Sequence, residues 1–266
     1  MTSFLGSLGR LVPVVCAAEA SQVPDRPGLV DVTLGGRRFS RSAPRGHRSW
    51  SLRASSVSGP TDLAPVQLFA SGAWGDGPFW WLSPWAVGVN ALTPDGSVLR
   101  FADLAGGTVG GPVQAVDGTW FPVSAVTAGT VNAVARSRAR GYTAVPKGAV
   151  YTASLYVSAG QRVRVSEFDA SLGTALTSRQ SAAGSGSGLS RVSVTGTATA
   201  STDALRLDVV GAGVCAGASL SLSPGLVPWG VGDGCEEAIV RDGGMSVTSL
   251  AYAPYAGQSY EVMEVG

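Results

Sequence analysis

Histidine occurs once in this chain of 266 residues, as His47, and cysteine three times, at Cys16, Cys215 and Cys235. No CxxC pair or Cys/His spacing is present, so a zinc knuckle has no ligand set. An odd and sparse cysteine set suits a reducing cytoplasm, and free thiols are expected. Charge is scarce as well: Asp, Glu, Lys and Arg make up 14%, with 19 basic residues against 18 acidic ones. A chain so nearly neutral has no field to steer nucleic acid or an anionic membrane, and neither is an expected partner. No stretch approaches the ~20 apolar residues that span a bilayer. The apolar run at residues 11–18 is short, contains Pro13 and has only Arg10 ahead of it, which falls short of a signal peptide.

Catalytic constellations are also missing. His47 has arginines on both sides and no GxSxG elbow to serve. Glu167, Asp169, Asp203 and Asp208 are carboxylates of the kind that cleave glycosides, but nothing in the sequence pairs them, so no enzyme is expected. A structural calcium would draw on Asp31, Asp117, Asp169, Asp203 or Asp233, none of which lies in a DxDxDG run, and no cofactor is expected. The Gly- and Ser-rich segment 181–189 has no Lys after it and opens no helix, which makes it a surface loop and not a phosphate cradle.

What the chain does have is turn formers and β-formers. Glycine occurs 37 times and proline 15 times amid abundant Ser, Thr, Val and Ala, which predicts many short strands and an all-β fold. Residues 151–157, 162–168, 191–195 and 204–210 alternate with period two, 114–117 and 219–223 flank them, and their spacing predicts an antiparallel sandwich. Glycine-rich joints at 106–112 and 224–234 bracket this set. Before the first joint, 29–39 reads as a hairpin turning at Gly35-Gly36. Arg41, Arg45, Arg48 and Arg53 around Trp50 read as an exposed strand, 62–70 as either a helical turn or a strand, 87–92 and 97–104 as strands, and 93–96 as a turn. After the second joint, 236–241, 245–252 and 259–265 read as three strands too few to bury a core alone. They are expected to complete the first unit. The organisation is then 1–105 plus 233–266 as one domain, with 106–232 inserted as a sandwich.

Four of the seven tryptophans, Trp74, Trp80, Trp81 and Trp85, fall within residues 72–94, together with Phe79. Indoles this dense on turn-rich backbone make a packed corner or a contact surface, and Trp74, Phe79, Trp80, Trp81 and Trp85 are the expected subunit-interface residues. Sugar platforms use exposed aromatic faces, for which the sandwich offers Trp120, Tyr142, Tyr151, Tyr156 and Trp229. Tyr151 and Tyr156 are an odd number apart, so on one strand they face opposite ways and at most one lines a groove. Trp120 and Tyr156 are the candidate glycan contacts.

In order along the chain, GPFWWLSPWAVGVNALTP, VPKGAVYTASLYVSAG, FDASLGTAL, RVSVTGTATAS, PWGVGDGC and the terminal SYEVMEVG resemble minor tail proteins of siphoviruses infecting actinobacteria, of the distal-tail or tail-tip type. The sandwich resembles a carbohydrate-binding-module jelly roll. The resemblance covers most of the chain and is weakest over the first forty residues. It implies a structural virion part made in the host cytoplasm. Copies of the chain would form a ring around the tail axis, touch the tail tube and other tail-tip proteins, and aid attachment to host surface glycans. A free-standing carbohydrate-binding protein is the alternative.

Overall fold

The structure is a computed structural model and describes residues 2–15, 21–25, 28–32, 38–42, 47–53, 64–99, 107–132, 141–250 and 253–265. The chain divides into two compact units, one built from residues 14–79 and 237–266, the other from 2–13 and 80–236.

In the first unit, strands Gly234–Leu250, Ala253–Glu264, His47–Arg53 and Ser21–Asp25 lie side by side. The C-terminal strands therefore complete the N-terminal sheet, with Val262 opposite Trp50 and Tyr260 opposite Leu52. Two strands do this where the sequence suggests three. Ala238 to Leu250 run antiparallel to Ala253 to Glu264 as one hairpin, and Asp242 to Gly244, between the strands expected at 236–241 and 245–252, is a register shift within it. Glycines there let the ladder take up an extra residue without breaking. The expected hairpin around Gly35-Gly36 is present as Gly28–Val32 against Arg38–Ser42, a two-stranded sheet of its own, with its turn outside the described residues.

Of the arginines expected on an exposed strand, Arg48 is not exposed, while Arg45 and the side chains of Arg41 and Arg53 lie outside the described residues. Trp50 is buried, and Arg48 is buried beside it, its Nε and Nη2 donating to Glu264 Oε2 and Oε1 at 2.9 and 3.0 Å while its guanidinium lies 5.0 Å from the indole centroid. Residues 64–70 are a helix whose Phe69 meets Trp74 and Phe79 edge-on, both at 4.7 Å between centroids.

The second unit holds an antiparallel jelly-roll sandwich. One sheet orders Ser190–Thr197, Val150–Val157, Gly213–Ser221, Ser124–Thr127 and Gly107–Gly110. The other orders Val131–Asn132, Ala204–Val210, Arg162–Phe168 and Thr177–Gln180, with Tyr142–Ala144 also paired to Ala204–Val210. Period-two alternation puts Tyr151, Ala153, Leu155 and Val157 inward against Val163, Val165, Leu205, Leu207 and Val209. Each such aliphatic side chain contributes ~1.5–3 kcal/mol on leaving water. The expected joint at 106–112 is partly an edge strand, because Thr108 and Val109 find partners in Val126 and Ala125.

Residues 80–99 pack within this unit. Trp80, Trp81 and Leu82 pair with Gly6, Leu5 and Phe4 of the N-terminal hairpin. Residues 84–88 form a short helix that opens with Pro84 and is capped by Ser83, whose Oγ accepts from Ala86 N at 3.0 Å, and the strand expected at 87–92 is instead the end of this helix and the turn after it. Thr93-Pro94-Asp95-Gly96 is the first turn of a second short helix, Pro94–Val98, capped in the same manner by Thr93. The strand expected at 97–104 is not one where it is described, since residues 97 and 98 end this helix and Leu99 caps it, and residues 100–104 lie outside the described residues.

Candidate functional site

A hairpin, Val113–Gln114 against Trp120–Phe121, lies over the outer face of the five-stranded sheet. Its turn is closed by Thr119 N donating to Asp117 Oδ1 at 2.9 Å, and Gly118 N donates to Ala115 O at 3.0 Å. Alternation sends Phe121 down and Trp120 up. Phe121 is buried between Tyr156 and Trp229, with centroids 4.8 and 4.9 Å away. Trp120, in contrast, is 64% exposed, with Gln114 opposite it on the paired strand.

Tyr156 is buried, and its hydroxyl donates to Asp117 Oδ2 at 2.8 Å. Burial raises the Tyr156 phenol above its ordinary range, and the Thr119 backbone N–H, with smaller help from Tyr156, holds the Asp117 carboxyl below its own. Of the two candidate glycan contacts, Trp120 therefore offers a surface, while Tyr156 fixes the loop that presents it. Arg191 lies beneath, 5.6 Å from the Tyr156 centroid. Its Nε donates to Ser154 Oγ at 3.0 Å, Nη2 to Ser219 Oγ at 3.2 Å and Nη1 to the Val227 carbonyl at 2.7 Å.

The segment 224–234, expected as a joint, is strapped over the same sheet up to residue 233, and Gly234 begins a strand. Trp229 Nε1 donates to Ala218 O at 3.2 Å, Asn90 Nδ2 to Gly230 O at 2.9 Å, and Gly232 N to Ser97 Oγ at 2.9 Å. Hairpin and strap together cover the part of the sheet that holds Tyr156, Ala216 and Ala218.

The expected interface residues part company in the same way. Phe79, Trp80 and Trp81 are buried within the chain, Trp81 at 0% exposure, which removes them as contact surface. Their burial follows from strand pairing at 80–82 and from the edge-on seat of Phe79 on Phe69. Trp74 is half-buried against Phe69, and Trp85 stands 57% exposed on its short helix, with Val231 exposed as well.

The carboxylates are bonded into the framework. Glu167 is buried and accepts from Tyr151 Oη at 3.1 Å, Thr202 Oγ1 at 2.6 Å and Thr199 N at 3.1 Å. Desolvation, then the Glu167 charge, pushes the Tyr151 phenol up to about 12. Asp203 accepts from Ala170 N at 2.9 Å and faces Lys147 Nζ at 3.5 Å, and Asp169 caps Ser171 N at 3.0 Å. Asp233 accepts from Ser83 Oγ. Among the described residues no three His, Cys, Asp or Glu side chains come together to hold a metal ion; the side chain of Asp31 lies outside that description. His47 is exposed at the start of its strand, opposite Asp25. Cys215 and Cys235 are buried, Cys215 as a free thiol, and Cys16 lies outside the described residues.

No family model matches the sequence, and no curated protein matches it. Among solved structures, the chain is similar to a carbohydrate-binding module of Cellvibrio mixtus lichenase 5A in complex with cellotriose, at 10% identity and TM-score 0.32 over 47% of this chain and 93% of the module. It is similar to the enzymatically active domain of tailspike protein 4 of bacteriophage CBA120, at 11% identity and TM-score 0.35 over 52% of this chain. It is also similar to the carbohydrate-binding and catalytic modules of Clostridium thermocellum xylanase 10B with xylohexaose, at 15% identity and TM-score 0.26 over 44% of this chain. The chain spans 22% of that tailspike domain and 24% of that xylanase fragment.

Proposed function

We propose that the chain is a structural subunit of a phage tail tip that binds and does not react, and that its sandwich offers Trp120 to glycans of the host surface. The tail assignment rests on the ordered sequence resemblance from GPFWWLSPWAVGVNALTP to SYEVMEVG. The observation that carries the binding role is an indole 64% exposed on a hairpin held from below by Tyr156, Asp117 and Phe121. A rigid, half-polar ring loses little freedom when a sugar stacks on it, and Gln114 opposite it supplies a carboxamide for hydroxyls. In this reading the copies sit in a ring around the tail axis, beside tube and tip proteins, with no cofactor. Trp85 takes the copy-to-copy role that Trp80 and Trp81, being buried, do not.

Antibody-gold labelling of intact particles tests the location: label at the distal end of the tail is expected, and label elsewhere or none overturns it. Binding of the full chain to a host cell-wall glycan array tests the contact. Trp120→Ala is expected to weaken the best ligand about tenfold, the ~1.4 kcal/mol of one aromatic contact. Unchanged binding overturns the role of Trp120. The second reading, a free-standing carbohydrate-binding protein, draws on the same exposed indole. It prevails if the chain binds glycans yet is absent from particles.

A further inference from the structure

The outer face of the sheet that holds Ala204–Val210 and Arg162–Phe168 gathers arginine in a chain with almost no net charge. Arg162 and Arg164 alternate with the core residues Val163 and Val165, so both leave the sheet on its outer side. On the next strand Arg206 and Asp208 alternate in the same sense with Leu205, Leu207 and Val209. Asp208, 2% exposed, is the one carboxylate these strands place among them. It accepts from Arg164 Nε and Nη2 at 3.1 and 2.8 Å and from Arg206 Nε and Nη2 at 3.0 and 3.3 Å.

One carboxylate cannot neutralise three guanidiniums. Arg162 is exposed and has no ion-pair partner among the described residues, and Arg164 Nη1 makes no hydrogen bond among them. Arg206 is held in place, 5.0 Å from the Phe168 centroid and 5.7 Å from that of Tyr142, with Nη1 donating to Tyr142 Oη at 3.4 Å. Gln180 opposite Arg164 and Ser178 opposite Ser166 are exposed and add neutral donors and acceptors on the same face.

We propose that this face binds an anionic polysaccharide, whose acidic groups meet Arg162 and Arg164 and whose hydroxyls meet Ser178 and Gln180. Two residues along a strand set the two arginines ~6.6 Å apart, a spacing suited to charges carried on neighbouring sugars. Nucleic acid is the poorer fit. Its affinity grows from many phosphate contacts, and the aromatic rings beside these arginines, Tyr142 and Phe168, are buried, so no base has a ring to stack on. The inference deepens the glycan-binding reading by naming an acidic polymer, at a site on the opposite sheet from the Trp120 hairpin.

The test passes the full chain over immobilised dextran sulfate, unsulfated dextran and a single-stranded DNA oligonucleotide, at low and raised salt. Retention on dextran sulfate that declines with salt is expected, with none on plain dextran. Arg162→Gln, which breaks no ion pair, and Arg164→Gln should each weaken retention about two- to fivefold, the scale of one exposed ionic contact. Arg241→Gln, on the C-terminal hairpin, should leave it unchanged. Trp120→Ala should also leave it unchanged, which separates this site from the Trp120 contact. Equal retention on both dextrans, no retention at low salt, or an Arg162→Gln variant that binds like the parent overturns the proposal, and stronger retention on DNA overturns the choice of polymer.

Discussion

Replacing Asn90 by alanine should be among the most damaging single changes in the chain. Asn90 has 0% exposure and sits between the two short helices at 84–88 and 94–98. Its Nδ2 donates to Ala218 O at 3.0 Å and Gly230 O at 2.9 Å, and its Oδ1 accepts from Leu92 N at 3.2 Å and Leu220 N at 3.0 Å. Both amide hydrogens and both acceptor positions are thus in use. Alanine leaves the Leu92 and Leu220 N–H groups without this acceptor, at ~1–3 kcal/mol each. Ala218 O keeps the Trp229 indole as a donor, and Gly230 O is half-buried, so those two carbonyls add less. The sum is ~2–6 kcal/mol, a large part of the ~5–15 kcal/mol by which domains are ordinarily stable. Urea unfolding followed by tryptophan fluorescence measures it. Asn90→Asp should be worse than alanine at neutral pH, because it turns two donors into a charge facing two carbonyl oxygens. A loss under ~1 kcal/mol for Asn90→Ala would refute the reasoning, showing that water or local relaxation satisfies these groups.

Two further perturbations follow from the site. Tyr156→Phe removes the hydroxyl that pins Asp117 and should cost about 1 kcal/mol at neutral pH in the same unfolding assay. Asp117 is held below its ordinary pKa, so its contribution is present above pH ~4 and lost as pH falls through the lower folded value. The variant should lose less stability on acidification than the parent, and an unchanged acid profile would refute the role of the hydroxyl. Burial pushes the Cys215 thiol up to about 12. Mass spectrometry after iodoacetamide at pH 8 should find Cys215 unmodified in the folded chain and modified in urea, and rapid native labelling would contradict its burial.

The sandwich was legible because its chemistry is repetitive. Residues 162–168 and 204–210 alternate so strictly that both strand limits follow from the pattern alone. Elsewhere a strong local signal hid a weaker one. At 106–112 the glycines suggest a linker, whereas Thr108 and Val109 pair with 125–126, a long-range match that no local pattern announces. The apolar look of 87–92 concealed a helix whose signal was present as Ser83-Pro84, a cap followed by proline at the first helical position. Asn90 was visible as the one polar residue in that run, but its four partners come from segments up to 140 residues away. The tryptophan cluster shows most plainly what composition omits. Indole content marks 74–85 as important, yet it does not tell that the strand carrying Trp80 and Trp81, which face opposite sides, is covered on both faces, while Trp85 stays outside.

The display of Trp120 depends on a glycine that does not touch the indole but packs against the ring of its strand neighbour, Phe121. Ser154 pairs with Ser219 and Tyr156 with Ala216, so strand Gly213–Ser221 carries one extra residue across that step. Gly217 sits in this bulge with φ +58°, where L side chains are strained. A Cβ at that position would overlap the Phe121 ring, the ring that seats the hairpin on the sheet. Gly217→Ala therefore combines ~1–2 kcal/mol of backbone strain with displacement of Phe121, for a total of ~2–4 kcal/mol. Because Phe121 and Trp120 are consecutive, lifting one must re-aim the other. The variant should lose stability in urea, and its glycan binding should fall toward that of Trp120→Ala although Trp120 itself is intact. If it loses stability while binding stays at the parent level, the hairpin is oriented by Tyr156 and Asp117 alone. If neither changes, the bulge is not what holds the indole up.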